Sequence, residues 1–214
     1  MVIEIKHLIK KGAEAEIWFG KWLEFDAIFK IRKPKLWRNP ELDRRIRIER
    51  TIKEAKIIYY SNTNGIDTPY IYDVDKINST IILEYVNGKT LKEVFENKDP
   101  NILNFCLMLG KIVGHLHNLN IVHGDITLSN IILRNEKSLC LLDFGLANFS
   151  KEIEDKGVDL HLFLRSLESS FSSLANICFE KFKEGYKNVS ENYKEVFEKV
   201  IEIRKRGRYI AERR

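Results

Sequence analysis

His123-Gly-Asp-Ile-Thr-Leu-Ser-Asn130 is the stretch that decides the fold, together with Leu141-Leu-Asp-Phe-Gly145 further along the chain. Each polar segment lies beside a short apolar run that is typical of a strand. The spacing between them fits a β-hairpin, so we expect Asn130 and Asp143 to come together. Their amide and carboxylate oxygens suit a Mg²⁺ ion that bridges phosphates, and Asp125 can accept a hydroxyl proton. The pattern therefore predicts a site for ATP and magnesium.

The two motifs resemble the catalytic and metal-binding loops of the protein-kinase superfamily. In the eukaryotic form an Arg precedes the catalytic Asp, whereas Gly124 precedes Asp125 here. His-Gly-Asp is instead similar to the RIO kinases, the aminoglycoside phosphotransferases and the PRPK family, so the motif narrows the class without choosing a member. Asp is also a common turn or capping residue, but two motifs in the right order favour the functional interpretation.

The composition indicates a folded protein of one domain or two small lobes, with 214 residues of which 44% are apolar. No apolar run approaches the length needed to cross a bilayer, and the N-terminus does not resemble a signal peptide, so we expect a cytoplasmic protein with no membrane contact. Cys106, Cys140 and Cys178 lie far apart in apolar segments, which favours buried thiols over a disulfide framework or a zinc site.

The net charge of +5 resides at the C-terminus, because residues 204–214 alone carry that excess. A basic tail favours contact with an anionic polymer or an acidic partner, although a solvated helix end explains it equally well. A second basic cluster, around Arg32 and Arg38, could also contact nucleic acid or an acidic surface. The basic residues of the tail are Arg204, Lys205, Arg206, Arg208, Arg213 and Arg214.

Three strands, at residues 2–9, 17–22 and 25–31, are expected to form an N-terminal antiparallel sheet. The first alternates apolar and polar residues, as a half-buried strand does. Between the first two strands, where a kinase has its glycine-rich loop, this chain has Gly12 and Ala13, whose backbone N–H groups can approach phosphate oxygens. A single glycine is also consistent with an ordinary hairpin turn.

Lys30 lies in the third strand among apolar neighbours, where its ammonium group needs an anion. A kinase lysine reaches the α- and β-phosphates from this position. Residues 41–60 follow a helical pattern, and either Glu49 or Glu54 should pair with the lysine. We choose Glu54 because it lies beside the inward apolar stripe of the helix.

Two further strands, at residues 70–74 and 80–85, end in a segment that looks like the hinge between kinase lobes. There the Glu84 carbonyl would accept from adenine, the Val86 N–H would donate to it, and Leu83 would be the gatekeeper. A strand that ends in an Asn-Gly turn is the alternative.

The rest of the chain is helical, with predicted helices at residues 99–118, 173–185 and 191–206. Another helix is expected to open at Asp159, which would anchor the catalytic loop backbone, while His123 braces that loop. No Ala-Pro-Glu motif follows Gly145. We therefore predict an α+β, minimal bilobal protein-kinase-like fold in a single domain: an N-lobe at 1–85 with an antiparallel sheet and one long helix, a reduced helical C-lobe at 86–203 that lacks an activation segment and substrate lobe, and a basic tail at 204–214.

Several segments together resemble the PRPK family of minimal atypical kinases over essentially the whole chain. They include Lys30-Ile-Arg-Lys-Pro-Lys35, Asp155-Lys-Gly-Val-Asp-Leu160 and Arg206-Gly-Arg208. The resemblance implies the kinase or ATPase subunit of the KEOPS complex, which makes threonylcarbamoyl-adenosine on tRNAs that read ANN codons. It also implies partners: the threonylcarbamoyl transferase, which is fused to the kinase in some archaea, other KEOPS subunits, and tRNA at the basic tail.

The same resemblance implies roles for individual residues. Lys30 and Glu54 would be the phosphate-anchoring ion pair, Asp125 the catalytic Asp, and Asn130 and Asp143 the magnesium ligands. RIO kinases are the nearest alternative, but they usually add an N-terminal helical module. The expected activity is ATP hydrolysis stimulated by the transferase and tRNA. Alternatives are Ser/Thr protein phosphorylation including autophosphorylation, a catalytically inactive scaffold, and small-molecule phosphorylation.

Overall fold

The computed structural model describes the backbone of residues 3–211 and the side chains of residues 3–206. It has an α+β architecture, with an antiparallel sheet near the N-terminus and a mostly helical remainder. The chain divides into two compact units, Met1–Asn87 and Gly88–Arg214. None of the helices in the described part of the chain is long and apolar enough to cross a membrane.

The first unit is a five-stranded antiparallel sheet in the order β1-β2-β3-β5-β4. Helix α1 packs against β4 and β5. The Asn39 side chain accepts hydrogen bonds from the N–H groups of Glu41 and Leu42, and Pro40 occupies the first turn, so the start of α1 follows directly from the sequence. The elements are β1 (Ile3–Lys11), β2 (Glu16–Trp22), β3 (Phe25–Ile31), α1 (Pro40–Thr63), β4 (Ile71–Asp75) and β5 (Thr80–Glu84).

Strand β1 corrects one sequence prediction. It runs to Lys11, two residues beyond the predicted end at residue 9, and all nine of its residues are exposed rather than half-buried. Ile5 is 47% exposed and Ile9 is 50% exposed. The reason is topological: β1 is an edge strand whose only sheet neighbour in the described chain is β2, with register shifts along the pair. Alternation alone cannot tell whether anything covers the apolar face.

The second unit is mainly helical, with α3 packed along α5 and α4 packed along α6. A Cβ atom at Gly110 would lie 1.9 Å from the Phe182 carbonyl oxygen, so this glycine permits the close approach of α3 and α5. The three cysteines are free and buried, as predicted. The elements are β6 (Gly88–Thr90), α2 (Leu91–Glu96), α3 (Ile102–Asn118), β7 (Ile121–Val122), β8 (Ile131–Arg134), β9 (Ser138–Leu141), β10 (Asn148–Phe149), α4 (Ile153–Ser170), α5 (Ser172–Lys187) and α6 (Tyr193–Ala211).

The largest differences from the predicted helix boundaries are in α4 and α6. Helix α4 begins at Ile153, so Asp159 lies within the helix and does not open it. Gly157 lies within this helix and leaves room for the Lys199 side chain, since a Cβ atom at this position would lie 2.8 Å from that side chain. Helix α6 continues to Ala211, so residues predicted as a tail belong to its last turns.

Candidate functional site

The loop that carries Asp125 depends on a left-handed glycine. It joins β7 to β8, and Gly124 has φ +80°. A Cβ atom at this position would also lie 2.8 Å from the Leu146 carbonyl oxygen. A residue with a side chain would therefore be strained both by its backbone conformation and by this close contact. This explains why glycine precedes Asp125.

Asp125 and Asn130 lie in direct contact. The Asn130 side-chain amide donates to the Asp125 carbonyl oxygen at 3.0 Å and to its carboxylate Oδ2 at 2.8 Å. The five-residue separation thus closes into a compact loop, which ends in a single 3₁₀ turn at Leu128–Asn130. Because the Asn130 nitrogen faces Asp125, its amide oxygen is the atom that can bind a cation.

Asp143 is tied to this loop through the backbone of Leu142. The Leu142 N–H donates to the Asn130 carbonyl at 2.8 Å, and its carbonyl accepts from His123 Nε2 at 3.0 Å. The strands β8 and β9 pair in the predicted hairpin. Asp143 itself adopts a left-handed conformation, with φ 59°, and its carboxylate accepts from the Gly145 N–H at 3.3 Å. Such a conformation is uncommon for a residue other than glycine and is often found at functional sites.

His123 is buried and braces the loop, as the sequence predicted. The Asp125 N–H donates to His123 Nδ1 at 3.3 Å, while Nε2 faces the Leu142 carbonyl. This pattern fits the neutral ring, with its proton on Nε2. Burial lowers the pKa of His123, although the Asp159 charge acts in the opposite direction. His123 therefore positions Asp125 without bringing a charge of its own.

Asp159 anchors the backbone of the same loop. Its carboxylate accepts from the N–H groups of His123 at 2.5 Å and Gly124 at 2.6 Å. It also contacts His117 Nε2 at 3.2 Å, and His117 Nδ1 lies 2.9 Å from the Tyr186 hydroxyl. The sequence predicted that Asp159 anchors the loop, but it did not predict the contacts of His117 and Tyr186. Nothing in the local spacing of a helical histidine indicates a partner 69 residues away.

In the first unit, Lys30 pairs with Glu54 across β3 and α1. Lys30 Nζ lies 2.6 Å from Glu54 Oε1, and the side chains are 8% and 1% exposed. Glu49, the other candidate, is 68% exposed and lies 3.8 Å from Arg45. The sequence predicts Arg32 in a basic cluster that could contact nucleic acid or an acidic surface, but its side chain is only 3% exposed, and Nη2 donates to Glu54 Oε2.

The turn between β1 and β2 is closed by its own backbone. The Gly12 N–H donates to the Ala15 carbonyl at 2.9 Å, and Lys35 Nζ donates to the Ala13 carbonyl. Gly12 and Ala13 are both exposed. The geometry is that of a tight turn, and the contact of its N–H groups with phosphate remains a prediction.

The residues predicted to bind adenine lie at the end of β5. Leu83 and Val86 are buried. Glu84 is fixed by Tyr70, since the Glu84 N–H donates to the Tyr70 carbonyl at 2.8 Å and the Glu84 carboxylate accepts from the Tyr70 N–H at 3.1 Å. Their role toward adenine remains a prediction.

Two residues of the predicted tail are paired with α4. Arg204 lies 2.6 Å from Glu168, and Arg206 lies 2.5 Å from Glu154. Lys205 is exposed. The other members of the predicted tRNA contact, namely the side chains of Arg208, Arg213 and Arg214, lie outside the described residues.

The described residues contain no group of three or more His, Cys, Asp or Glu side chains able to hold a metal ion by themselves. Mg²⁺ commonly binds to one or two protein oxygens and takes its other ligands from substrate phosphates and water. Asn130 and Asp143 could supply protein oxygens of the required kind, from an amide and a carboxylate.

A protein-family model described as the protein kinase domain matches residues 27–159. The chain is 42% identical to the KEOPS complex subunit Bud32 of Pyrococcus abyssi, over 94% of this chain and 96% of the relative. It is 40% identical to a probable bifunctional tRNA threonylcarbamoyladenosine biosynthesis protein of Methanocaldococcus jannaschii, over 96% of this chain and 37% of that protein. A protein of the same description from Methanothermobacter thermautotrophicus is 39% identical, and the chain covers 36% of it. The chain thus spans little more than a third of these bifunctional relatives.

Proposed function

Because this chain belongs to the PRPK/Bud32 family of protein-kinase-like proteins, we propose that it is the ATP-dependent kinase or ATPase subunit of a KEOPS-type complex. In this role it would bind ATP with Mg²⁺ and support threonylcarbamoyl-adenosine modification of tRNAs that read ANN codons. We expect it to work in the cytoplasm.

The observation that carries the proposal is the loop held together by Asp125, Asn130 and the Leu142 backbone. Asp125 would position the attacking water or hydroxyl and accept its proton. Asn130 and Asp143 would hold Mg²⁺, which supplies charge neutralisation on the β- and γ-phosphates when it is bound. His123 and Asp159 fix the loop, so these groups are oriented before ATP arrives.

The first unit would contribute to nucleotide binding. Lys30, oriented by Glu54, would bind the α- and β-phosphates, as a kinase lysine does. The Gly12 N–H already donates to the Ala15 carbonyl, so in this turn the Ala13 N–H would be the group offered to phosphate, with Gly12 closing the turn. The end of β5 would bind adenine through the Glu84 carbonyl and the Val86 N–H.

The proposed partner is a threonylcarbamoyl transferase subunit, with other KEOPS subunits. The support comes from the bifunctional tRNA threonylcarbamoyladenosine biosynthesis proteins, in which a segment like this chain forms about a third of a longer protein. The proposed contact with tRNA is made by the basic tail. Arg204 and Arg206 have carboxylate partners, so among the described residues of the tail Lys205 is the first candidate for a phosphate contact, and Arg208, Arg213 and Arg214 are further candidates from the sequence.

The test follows labelled ATP with Mg²⁺ for the chain alone and with the transferase and tRNA, and separates free phosphate from phosphoprotein. Asp125→Ala should lower turnover on the order of 10²- to 10⁴-fold, which is the usual contribution of positioned proton transfer. Asp143→Ala should lower turnover because it removes a proposed magnesium ligand. Asp73→Ala, which removes an exposed carboxylate from β4, is the matched control and should turn over ATP normally.

Free phosphate that rises with the transferase and tRNA, and falls in both variants, would support the ATPase role. Label retained on Ser or Thr of a protein, unaffected by tRNA, would instead identify a Ser/Thr protein kinase. Turnover that is unchanged in Asp125→Ala would overturn the proposed mechanism.

A further inference from the structure

The carboxylate of Glu54 is divided between two cations. Lys30 donates to Oε1 at 2.6 Å, and Arg32 donates to Oε2 through Nη2. All three side chains are at most 8% exposed. The familiar kinase arrangement is one lysine with one glutamate. Here a second cation occupies the other carboxylate oxygen, which fixes the rotation of the group.

Arg32 is itself held on several sides. Its Nη1 donates to Thr51 Oγ1 at 3.3 Å, and Thr51 lies one helical turn before Glu54 in α1. The Arg32 backbone N–H donates to the Ser79 carbonyl at 3.1 Å, and its carbonyl accepts from Arg47 at 3.4 Å. The guanidinium therefore joins the end of β3 to α1 and cannot readily move away from Glu54.

Burial of this arginine is unfavourable for stability alone. Its Nε is buried without a hydrogen-bond partner among the described residues. An unsatisfied buried donor destabilises the fold, and apolar side chains of similar volume often replace buried charges at no loss of stability. A role in orienting Glu54 accounts for an arginine at this position.

The sharing also affects Lys30. Glu54 carries one negative charge, and two cations contact it, so Glu54 by itself cannot fully neutralise the lysine. If Arg32 were absent, both carboxylate oxygens could turn toward Lys30. The lysine would then interact more weakly with an added anion.

We propose that Arg32 is a positioning residue that fixes Glu54 and keeps it from neutralising Lys30, so that Lys30 can bind nucleotide phosphates. In protein kinases the lysine–glutamate pair is switched by movement of its helix and by activation-loop phosphorylation. Here only a short segment separates Gly145 from α4, and Arg32 would hold the pair permanently. The inference rests on the proposed ATP site.

The test measures the binding of ATP, ADP and adenosine by calorimetry to the full chain. Arg32→Met should weaken ATP and ADP on the order of tenfold and leave adenosine unchanged, since only the phosphates meet Lys30. Arg32→Lys should restore part of the loss. Arg45→Met, which breaks an exposed ion pair in α1, is the matched control and should bind like the wild type.

The double variant Arg32→Met/Glu54→Gln separates orientation and charge from simple support of the fold. Glutamine keeps an oxygen that can face Lys30 but carries no charge, so the double variant should recover part of the ATP affinity lost in Arg32→Met. A purely structural arginine predicts the opposite, namely a double variant at least as weak as the single one. Denaturation by urea shows which variants are folded.

The outcomes distinguish the two proposals. A wild-type chain that binds no ATP would refute the proposed function. A wild-type chain that binds ATP, with Arg32→Met binding equally well or losing adenosine in the same proportion, would refute the role of Arg32 alone.

Discussion

Glu54 and Asp159 are both almost fully buried carboxylates, but different kinds of partner hold them. Glu54, in the first unit, is held by the side-chain cations of Lys30 and Arg32. Asp159, in the second unit, is held by two backbone N–H groups and by His117. Side chains can be exchanged by mutation, whereas backbone N–H groups remain whatever the sequence.

The comparison indicates that Asp159 and Glu54 have different roles. Asp159 is an anchor, since it fixes the path of the chain on the N-terminal side of Asp125. Glu54 is an orienting group, since the side chains around it could be replaced together without leaving a backbone group unsatisfied. The first should therefore govern stability and the second should govern ligand binding.

The largest effect is expected for Asp159→Ala. It leaves two buried backbone donors and His117 without their acceptor, which should cost about 3–5 kcal/mol of unfolding free energy. Urea denaturation measures the loss, and Asp159→Asn should retain part of the stability through its remaining oxygen. A loss under about 1 kcal/mol in Asp159→Ala would contradict the anchoring role.

Glu54→Met should cost about 3 kcal/mol, because it leaves Lys30 and Arg32 buried without their shared anion. The triple variant Lys30→Met/Arg32→Met/Glu54→Met should recover most of that loss and bind no ATP. The same denaturation and binding measurements check both statements. A triple variant less stable than Glu54→Met would contradict the proposed difference between Glu54 as an orienting group and Asp159 as an anchor.

A smaller effect, about 1 kcal/mol at neutral pH, is expected for Tyr186→Phe, which removes the hydroxyl that contacts His117. Burial raises the pKa of Tyr186 to about 12. Unfolded tyrosine titrates near pH 10, so the contribution of the neutral phenol is complete below about pH 10 and is lost as the pH rises toward 12.

The advantage in unfolding free energy of the wild type over Tyr186→Phe should therefore fall by about 1.4 kcal/mol per pH unit between pH 10 and pH 12, so that by about pH 11 the variant becomes the more stable protein. Denaturation at a series of alkaline pH values measures it, with Tyr193→Phe as the control on α6. A difference that stays constant up to pH 11 would mean that Tyr186 is not protected by burial.

The smallest effect is expected at the surface. Arg206→Gln breaks an exposed ion pair with Glu154 and should leave the unfolding free energy nearly unchanged, because solvent screens such pairs. The Glu154 carboxyl has its pKa lowered mainly by its hydrogen bond with Arg206, and this shift should diminish in the variant. NMR titration measures the pKa. A large loss of unfolding free energy in Arg206→Gln would show that this pair stabilises the fold as the buried ion pairs do.

The sequence predicted those parts of the site whose partners lie close along the chain. Asp125 and Asn130 are five residues apart, and a hairpin of familiar geometry joins them to Asp143. The choice of Glu54 over Glu49 followed from the inward face of one helix. In these cases local periodicity and turn geometry determine which side chains meet.

The sequence failed where burial depends on distant elements. Arg32 is surrounded in sequence by exposed basic residues, and only the packing of α1 and the Ser79 turn against β3 buries it. The apolar residues of β1 predicted a covered face that the edge position leaves exposed. His117 finds its partners 42 and 69 residues away, a distance that no local pattern encodes.

The most direct measurement of the central claim is calorimetric binding of ATP with and without Mg²⁺. The account predicts that Mg²⁺ strengthens binding to the wild type, and that Asn130→Ala and Asp143→Ala lose this dependence while they still bind ATP in the absence of magnesium. Equal affinity with and without Mg²⁺ in the wild type, or an unchanged magnesium dependence in both variants, would contradict the assignment of these residues and of the ATP site.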